Sequence, residues 1–359
     1  MKKALKIIGL VLLAVVLLAV AYLAYVFIAY HRIEDKQVLA VTGENDRAVE
    51  TGKEYKVVSW NVGFGAYESD FGFFMDGGTE SWAWSKDRLN TNLQNISKFL
   101  NEQDAAILLV QEVDWDSTRS YHVNEREFIE NALREEHQYD GAYAVNYDSP
   151  FLFYPFLQPH GCSRSGIATF ADFKITDSLR RSLPIDNGLT KFLDLDRCYS
   201  VSRIPTSNGK ELCVYNLHLS AYSADGTIAD DQMELLIADM QAEYEKGNYV
   251  IGGGDFNKDL LGDSSKYFGV STAGYTWSQP IRMDLIEASD IKLVAPLDEE
   301  NPVASCRNAD GPIREGQLRL TVDGFLASPN VKVEGAKVID LEFAYSDHNP
   351  VEMHITLEP

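Results

Sequence analysis

Ile7 to Tyr30 is an unbroken run of 24 uncharged, mostly aliphatic residues, and no soluble fold leaves such a run unburied. A helix over it, rising about 1.5 Å per residue, crosses a hydrocarbon core of roughly 30 Å with some tilt. Lys2, Lys3 and Lys6 precede it, and a basic flank stays on the cytoplasmic side of a membrane. Residues 1–30 therefore read as a single-pass anchor. The competing reading is a cleavable signal sequence, since Ala19-Val20-Ala21 has the small-x-small pattern, although an ordinary signal core is shorter. Either reading puts the remainder outside the cytoplasm, at the cell membrane or secreted.

The exported part is long enough for one large domain or two modest ones, and with 45% hydrophobic residues in the chain it can bury a core. The 32 basic and 54 acidic side chains give a formal charge of −22. That balance leaves no strong nucleic-acid footprint, because phosphate backbones are gripped by cationic surfaces. Cys162, Cys198, Cys213 and Cys306 form no CxxC pair and have no metal-ligand spacing. Cys213 lies in an apolar run and reads as a small buried hydrophobe. An oxidising location permits a disulfide among Cys162, Cys198 and Cys306, with the pairing open.

Residues 31–53 are polar and aperiodic, and read as a linker. From residue 54 to 359, strand-like runs alternate with a few helical patterns. Leu89, Leu93, Ile96 and Leu100 make one apolar face of a helix with Ser85 as its N-cap. Met233, Leu236, Ile237, Met240 and Tyr244 do the same for a second. Strands are expected at 55–60, 106–110, 166–170, 197–204, 211–217, 249–253, 319–326, 331–339 and 351–357. This pattern predicts one α/β domain, two packed mixed β-sheets covered by helices. A doubly wound nucleotide-binding fold is the rival. It needs a glycine-rich phosphate loop after the first strand, and Asn61-Val62-Gly63-Phe64-Gly65 matches neither GxGxxG nor the Walker pattern.

Residues able to do metal and acid–base chemistry stand at the ends of these strands: Asn61, Glu112, His218, Asp255 with Asn257, and Ser346-Asp347-His348-Asn349-Pro350. Taken in order, with Gly254-Asp255-Phe256-Asn257 and the Ser-Asp-His-x-Pro run at 346–350 the most specific pieces, they resemble the endonuclease/exonuclease/phosphatase superfamily. The resemblance covers roughly residues 54 to 357 and points to its deoxyribonuclease, neutral sphingomyelinase and inositol polyphosphate phosphatase branches, which carry a histidine where His218 stands. It implies a four-layer sandwich with the site at one end of the sheets. Mg²⁺, with Mn²⁺ as the alternative, would be held by Glu112, Asn61 and Asp347, oxygen donors that suit a hard cation. Asp255 would be the general base and Asn257 would orient water or phosphate. His218 and His348 would donate to phosphoryl oxygens, and Asp323 would hold the ring of His348. Arg164 and Asn61 would contact the substrate phosphate. Two departures stand out: Gly324 follows Asp323, and Ala171-Asp172-Phe173 replaces a Ser-Arg-x-Pro run.

Two aromatic-rich stretches flank this set. One holds Phe64, Tyr67, Phe71, Phe73, Phe74, Trp82 and Trp84, the other Tyr143, Tyr147, Phe151, Phe153, Tyr154 and Phe156. Such rings contact lipid, stack on bases or simply cover a sheet edge. The expected function is a membrane-anchored, metal-dependent phosphohydrolase acting on a phospholipid or small phosphoester. An exported nuclease of the deoxyribonuclease type is the alternative, and an inactive binding protein the remote one.

Overall fold

In the computed structural model of the chain, residues 2–185, 188, 191–194, 196–221, 227–272, 274–275 and 277–359 are described. The apolar runs read as strands alternate in the side to which they point, and both sides are covered. Val57, Ile107 and Leu109 face one buried cluster while Val58, Leu108 and Val110 face another. Burial on both faces is why these strands read as continuous apolar runs rather than clean alternations.

The strands, in chain order, are β1 (Gln37–Val38), β2 (Val41–Thr42), β3 (Glu54–Asn61), β4 (Ile107–Ser117), β5 (Asp140–Asp148), β6 (Ser163–Ala171), β7 (Asp177–Ser182) and β8 (Cys198–Pro205). There follow β9 (Glu211–His218), β10 (Tyr249–Asp255), β11 (Lys292–Val294), β12 (Cys306–Arg307), β13 (Arg319–Leu320), β14 (Asp323–Ala327), β15 (Val331–Val338) and β16 (Val351–Leu357). The helices used below are α1 (Lys2–Ala29), α2 (Lys86–Glu102), α3 (Glu125–Arg134), α4 (Lys191–Asp194) and α5 (Thr227–Glu245).

One seven-stranded sheet has the order β15-β16-β3-β4-β6-β5-β2, and the other β1-β7-β8-β9-β10-β14-β11. Val57, Val214, Ile251, Phe325 and Met353 fill the space between them. Helices α2 and α3 cover the outer face of the first sheet, and α5 covers that of the second. The result is the expected four-layer sandwich. At the centre of each sheet lies one parallel pair, β3 with β4 through α2 and β9 with β10 through α5. Parallel neighbours end at the same edge, so four strands deliver their last residues to one place. Ser85 caps α2 by accepting a hydrogen bond from the Arg88 N–H, as the sequence predicts.

Several expectations are corrected. Residues 31–53 are no free linker: β1 pairs with β7, β2 pairs with β5, and Val49 is buried, so this segment straps the edges of both sheets. Two-residue pairings need only backbone groups and leave no periodicity to read. The single strand expected at 319–326 is two, β13 pairing with β12 and β14 with β10. All four cysteines are free, Cys162 exposed and the other three buried in separate apolar clusters, so no disulfide links Cys162, Cys198 and Cys306.

Among the described residues α1 is the one helix long and apolar enough to cross a membrane. Its last turns lie against the domain. The Tyr22 hydroxyl donates to the Phe151 carbonyl and accepts from the Phe153 N–H at 2.9 Å, and the Tyr25 hydroxyl accepts from the Phe151 N–H. Phe27 and Tyr30 set their rings edge-on to Phe192 of α4, each at 5.1 Å.

Candidate active site

The register of the second sheet assembles half of the site. Asp255, last in β10, lies opposite His218 on β9 and Asp323 on β14. Asn61 ends β3 beside Gln111 of β4, and Glu112 follows. At that point β4 carries a bulge: its pairing with β6 shifts between Val110 and Val113, and Glu112 has φ +53°. A non-glycine residue in the left-handed region costs of order 1–3 kcal/mol, and such strain gathers at functional sites. Asn257, φ +48°, is a second instance in the same cleft.

The two halves meet through Asn61. Its amide nitrogen donates to Glu112 Oε1 at 3.1 Å and to Asp255 Oδ2 at 3.0 Å, while its oxygen accepts from the Gly63 N–H. Asp255 Oδ2 also lies 3.5 Å from His218 Nε2 and 3.7 Å from His348 Nε2, and its Oδ1 accepts from the Asn257 N–H at 2.8 Å. Burial pushes its pKa up to about 7, against the pull of His348 and with the help of the Asp323 charge. A carboxyl so placed exchanges protons near neutrality.

The two histidines are tuned in opposite directions. Burial opposes the charging of His348, but the Asp323 carboxylate, bonded to its Nδ1 at 2.8 Å, outweighs this with Cys306 and Asp255 and holds the ring protonated well above the usual range. The Ser305 hydroxyl donates to the same Asp323 oxygen at 2.7 Å and fixes it. His218 is held neutral by burial and then by Arg197, His348 and Arg119, and among the described residues its Nδ1 has no hydrogen-bond partner. One ring is a cationic donor, the other an uncharged one.

Asp255, Asp323 and His348 bring ligand atoms within 4.8 Å of one another. The Asp323–His348 hydrogen bond already uses two of those groups, so the better fit for a hard cation is the other pair. Asp347 is partly buried and pushed up to about 6, by desolvation first and then by the charge of Glu112 against the pull of His348. Two carboxylates that repel across a cleft, with Asn61 bridging to one of them, form an oxygen-rich donor set that a divalent cation would relieve.

The structure thus brings together Asn61, Glu112, His218, Asp255, Asn257, Asp323, Asp347 and His348. It does not bring Arg164, which stands half-exposed on β6, 3.3 Å from Asp148 and over the Trp115 ring, outside the residues that line the cleft. Sequence reasoning missed Arg119, Arg197 and Arg307, all of which line it. Arg307 is anchored on the carbonyls of Glu68 and Gly311, and Arg119 on Asp114. Nothing in their spacing separates them from surface charges.

A two-sheet sandwich with carboxylates and imidazoles converging at the ends of its central strands is the phosphoesterase and nuclease fold. The chain belongs to the endonuclease/exonuclease/phosphatase family, whose model matches residues 58–348. No curated protein matches it in sequence. Among solved structures it is similar to an endonuclease/exonuclease/phosphatase from Beutenbergia cavernae, with 13% identity, TM-score 0.57 and coverage of 85% of this chain and 72% of that one. It is also similar to ANGEL2, a 2′,3′-cyclic phosphatase, with 16% identity, TM-score 0.56 and coverage of 90% and 100%. A truncated Caenorhabditis elegans TDP2 matches at 14% identity and TM-score 0.51, covering 85% and 99%. At such identities these likenesses speak of fold alone.

Proposed function

We propose that the chain is a membrane-anchored, exported phosphohydrolase that needs Mg²⁺ or Mn²⁺ and acts on a phospholipid or small phosphoester. The observation that carries the reading is one cleft holding a carboxyl poised near neutrality, an imidazolium fixed by a buried aspartate, and two carboxylates, Glu112 and Asp347, whose charges repel. Asp255 takes the proton of the attacking water, held in position by the Asn257 N–H and the Asn61 amide. Protonated His348 donates to a phosphoryl oxygen as charge builds there, and neutral His218 donates a second hydrogen bond. Glu112 and Asp347 would hold a divalent cation, which would supply positive charge for the phosphoryl group.

The lipid part of the reading rests on the loop after β5. Phe153, Tyr154, Phe156 and Leu157 are exposed together, whereas other large exposed apolar residues of the domain, such as Trp84, Trp115 and Met283, stand alone. Tyr22 and Tyr25 of the apolar helix bind the backbone of this loop, which sets it where an anchored domain meets the headgroups. Most rings of the other aromatic stretch, by contrast, pack into the core.

The full chain in detergent micelles, assayed with Mg²⁺ or chelator on vesicle-borne phosphodiester and on plasmid DNA, tests the reading. Vesicle hydrolysis is expected to be the faster and to stop in chelator. Replacing Phe153 and Phe156 by serine is expected to lower the ratio of vesicle to plasmid activity. Efficient plasmid nicking without ester hydrolysis would promote the nuclease alternative.

A further inference from the structure

The apolar helix joins the domain at one particular end. β4 and β5 both run antiparallel to β6, so they point the same way, and the β5–β6 hairpin stands at the end of its sheet that holds Glu112. Register gives its height. Asp148, last in β5, and Asp116 of β4 both lie opposite Arg164, and Asp116 is four residues beyond Glu112. At about 3.3 Å per residue, less the bulge, the hairpin begins roughly 10 Å outward of Glu112. In the second sheet Tyr199 lies opposite Leu217, so β8 starts where β9 ends at His218, and α4 comes just before that start. The last turns of α1 rest on Phe151 and Phe153 of the hairpin and on Phe192 of α4, and thus on the rim of the catalytic end.

This attachment has no loose joint. Within α1 only Tyr22, Val26 and Ala29, which share one helical face, are covered, whereas residues 2–21 are exposed all round. The helix therefore leaves the domain instead of lying along its side. Immediately after it, Arg32 Nε and the Ile33 N–H donate to the buried Asp196 carboxylate at 3.0 and 3.1 Å, and Asp35 accepts from the Ser182 N–H at 2.8 Å. β1 then begins at Gln37 and pairs with β7. A flexible tether would let the domain tumble; this one is pinned before and after the helix end.

A membrane-spanning helix that departs from the rim of the catalytic end puts the bilayer on that side. The exposed Phe153, Tyr154, Phe156 and Leu157 belong to the same hairpin, and aromatic rings favour the headgroup layer. They also connect inward: the Tyr154 ring lies 6.0 Å from Phe74, which sits edge-on, at 4.8 Å, to the cleft-lining Phe73. The turn between β8 and β9, closed by the Pro205–Glu211 pair, stands at the opposite end of its sheet and faces away.

We propose that the docked end of α1 is a rigid orienting joint, which holds the cleft toward the bilayer that α1 spans and so favours phosphoesters of that leaflet over soluble ones. The inference rests on the membrane-anchored phosphohydrolase reading. It is tested on the full chain reconstituted in phosphatidylcholine vesicles that contain a fluorogenic phosphodiester lipid and a spin-labelled quencher lipid. Cys162, the one exposed cysteine, carries a fluorophore; a second sample carries it at the far turn, on Ser207→Cys in a Cys162→Ser chain. The Cys162 label is expected to be quenched and the Ser207→Cys label not. Tyr22→Ala with Tyr25→Ala, which removes the contacts to the hairpin, should shrink that difference. The same variant should lower lipid hydrolysis by about threefold or more relative to soluble bis(p-nitrophenyl) phosphate, whose own rate stays unchanged. Phe192→Ala, on the domain side of the joint, provides a second variant should the first not insert. Equal quenching at the two positions, or a lipid-to-soluble ratio unmoved in both variants, would overturn the inference while hydrolysis of the soluble ester keeps the parent reading alive. Selective quenching at Cys162 without hydrolysis of either ester would sink the parent reading and leave the orientation standing.

Discussion

The two ends of the second sheet carry similar residues tuned in opposite directions. Near the start of β9, Glu243 receives hydrogen bonds from Arg203 at 2.6 Å, Lys246 at 2.7 Å and Asn248 at 2.9 Å. Burial resists ionisation there, but these donors overcome it and hold Glu243 down to about 2. At the other end, where β9 and β10 finish, Asp255 is pushed up to about 7 and Asp347 to about 6. The first end matches each charge with a partner and so contributes to stability. The second buries carboxylates whose desolvation outweighs the pull of the His348 imidazolium beside them, the kind of perturbed group that gathers at sites handling protons.

The largest effect that could break this contrast is catalytic. Asp255→Asn and His348→Ala should each lower turnover at saturating metal by about two orders of magnitude or more, since a positioned base or a preorganised donor contributes about that much. Near-normal rates in either would erase the distinction between the ends. Glu112→Gln comes next. It keeps the shape but removes one charge from the oxygen-rich pair, so the Mg²⁺ concentration for half-maximal activity should rise about tenfold or more. Loss of folding instead would make Glu112 structural.

Stability measurements sharpen the same comparison with smaller effects. Glu243→Gln should cost about 1–2 kcal/mol at pH 7, discounted because Lys246 and Arg203 remain partly in solvent. Its folded pKa lies below the usual 4.5, so the wild-type advantage should be full above that pH and fade as the pH falls toward 2. Asp255 carries the opposite sign. Its carboxyl is raised from 3.8 to about 7, so in chelator the wild type loses stability as the pH rises between those values, and Asp255→Asn, free of that loss, should melt higher above pH 7. Ser85→Ala, which removes the α2 cap, should cost about 1 kcal/mol with no bearing on either end.

The same contrast explains what could be read in the chain beforehand. Residues whose neighbours are set by strand register were legible: β3, β9 and β10 announce themselves as apolar runs, and Asn61, His218 and Asp255 follow from their ends. The helical faces of α2 and α5 were equally plain. β5 was not, because its Tyr, Asn and Asp content mimics loop, although its Tyr143 ring packs in the core and its hydroxyl donates to the Val113 carbonyl at the bulge. The strap at 31–53 was missed because backbone pairing leaves no side-chain pattern. Arg119 and Arg307 were missed because buried arginines are recognised by the partners a fold provides, Asp114 for one and a ring of carbonyls for the other. Arg164 was misread for the converse reason: its position before Gly166 put it near the site in sequence, while the strand turns its side chain toward Asp148.

One paired measurement tests the central claim most directly. Hydrolysis of bis(p-nitrophenyl) phosphate at saturating Mg²⁺ and melting temperature in chelator at pH 8 are recorded for the full-length wild type, Asp255→Asn and Glu243→Gln. The account predicts that Asp255→Asn loses at least a hundredfold in turnover while melting no lower than wild type, and that Glu243→Gln keeps its turnover while melting lower. The reverse pattern, an Asp255→Asn chain that stays active but is destabilised, would make the cleft a structural charge cluster and contradict the account.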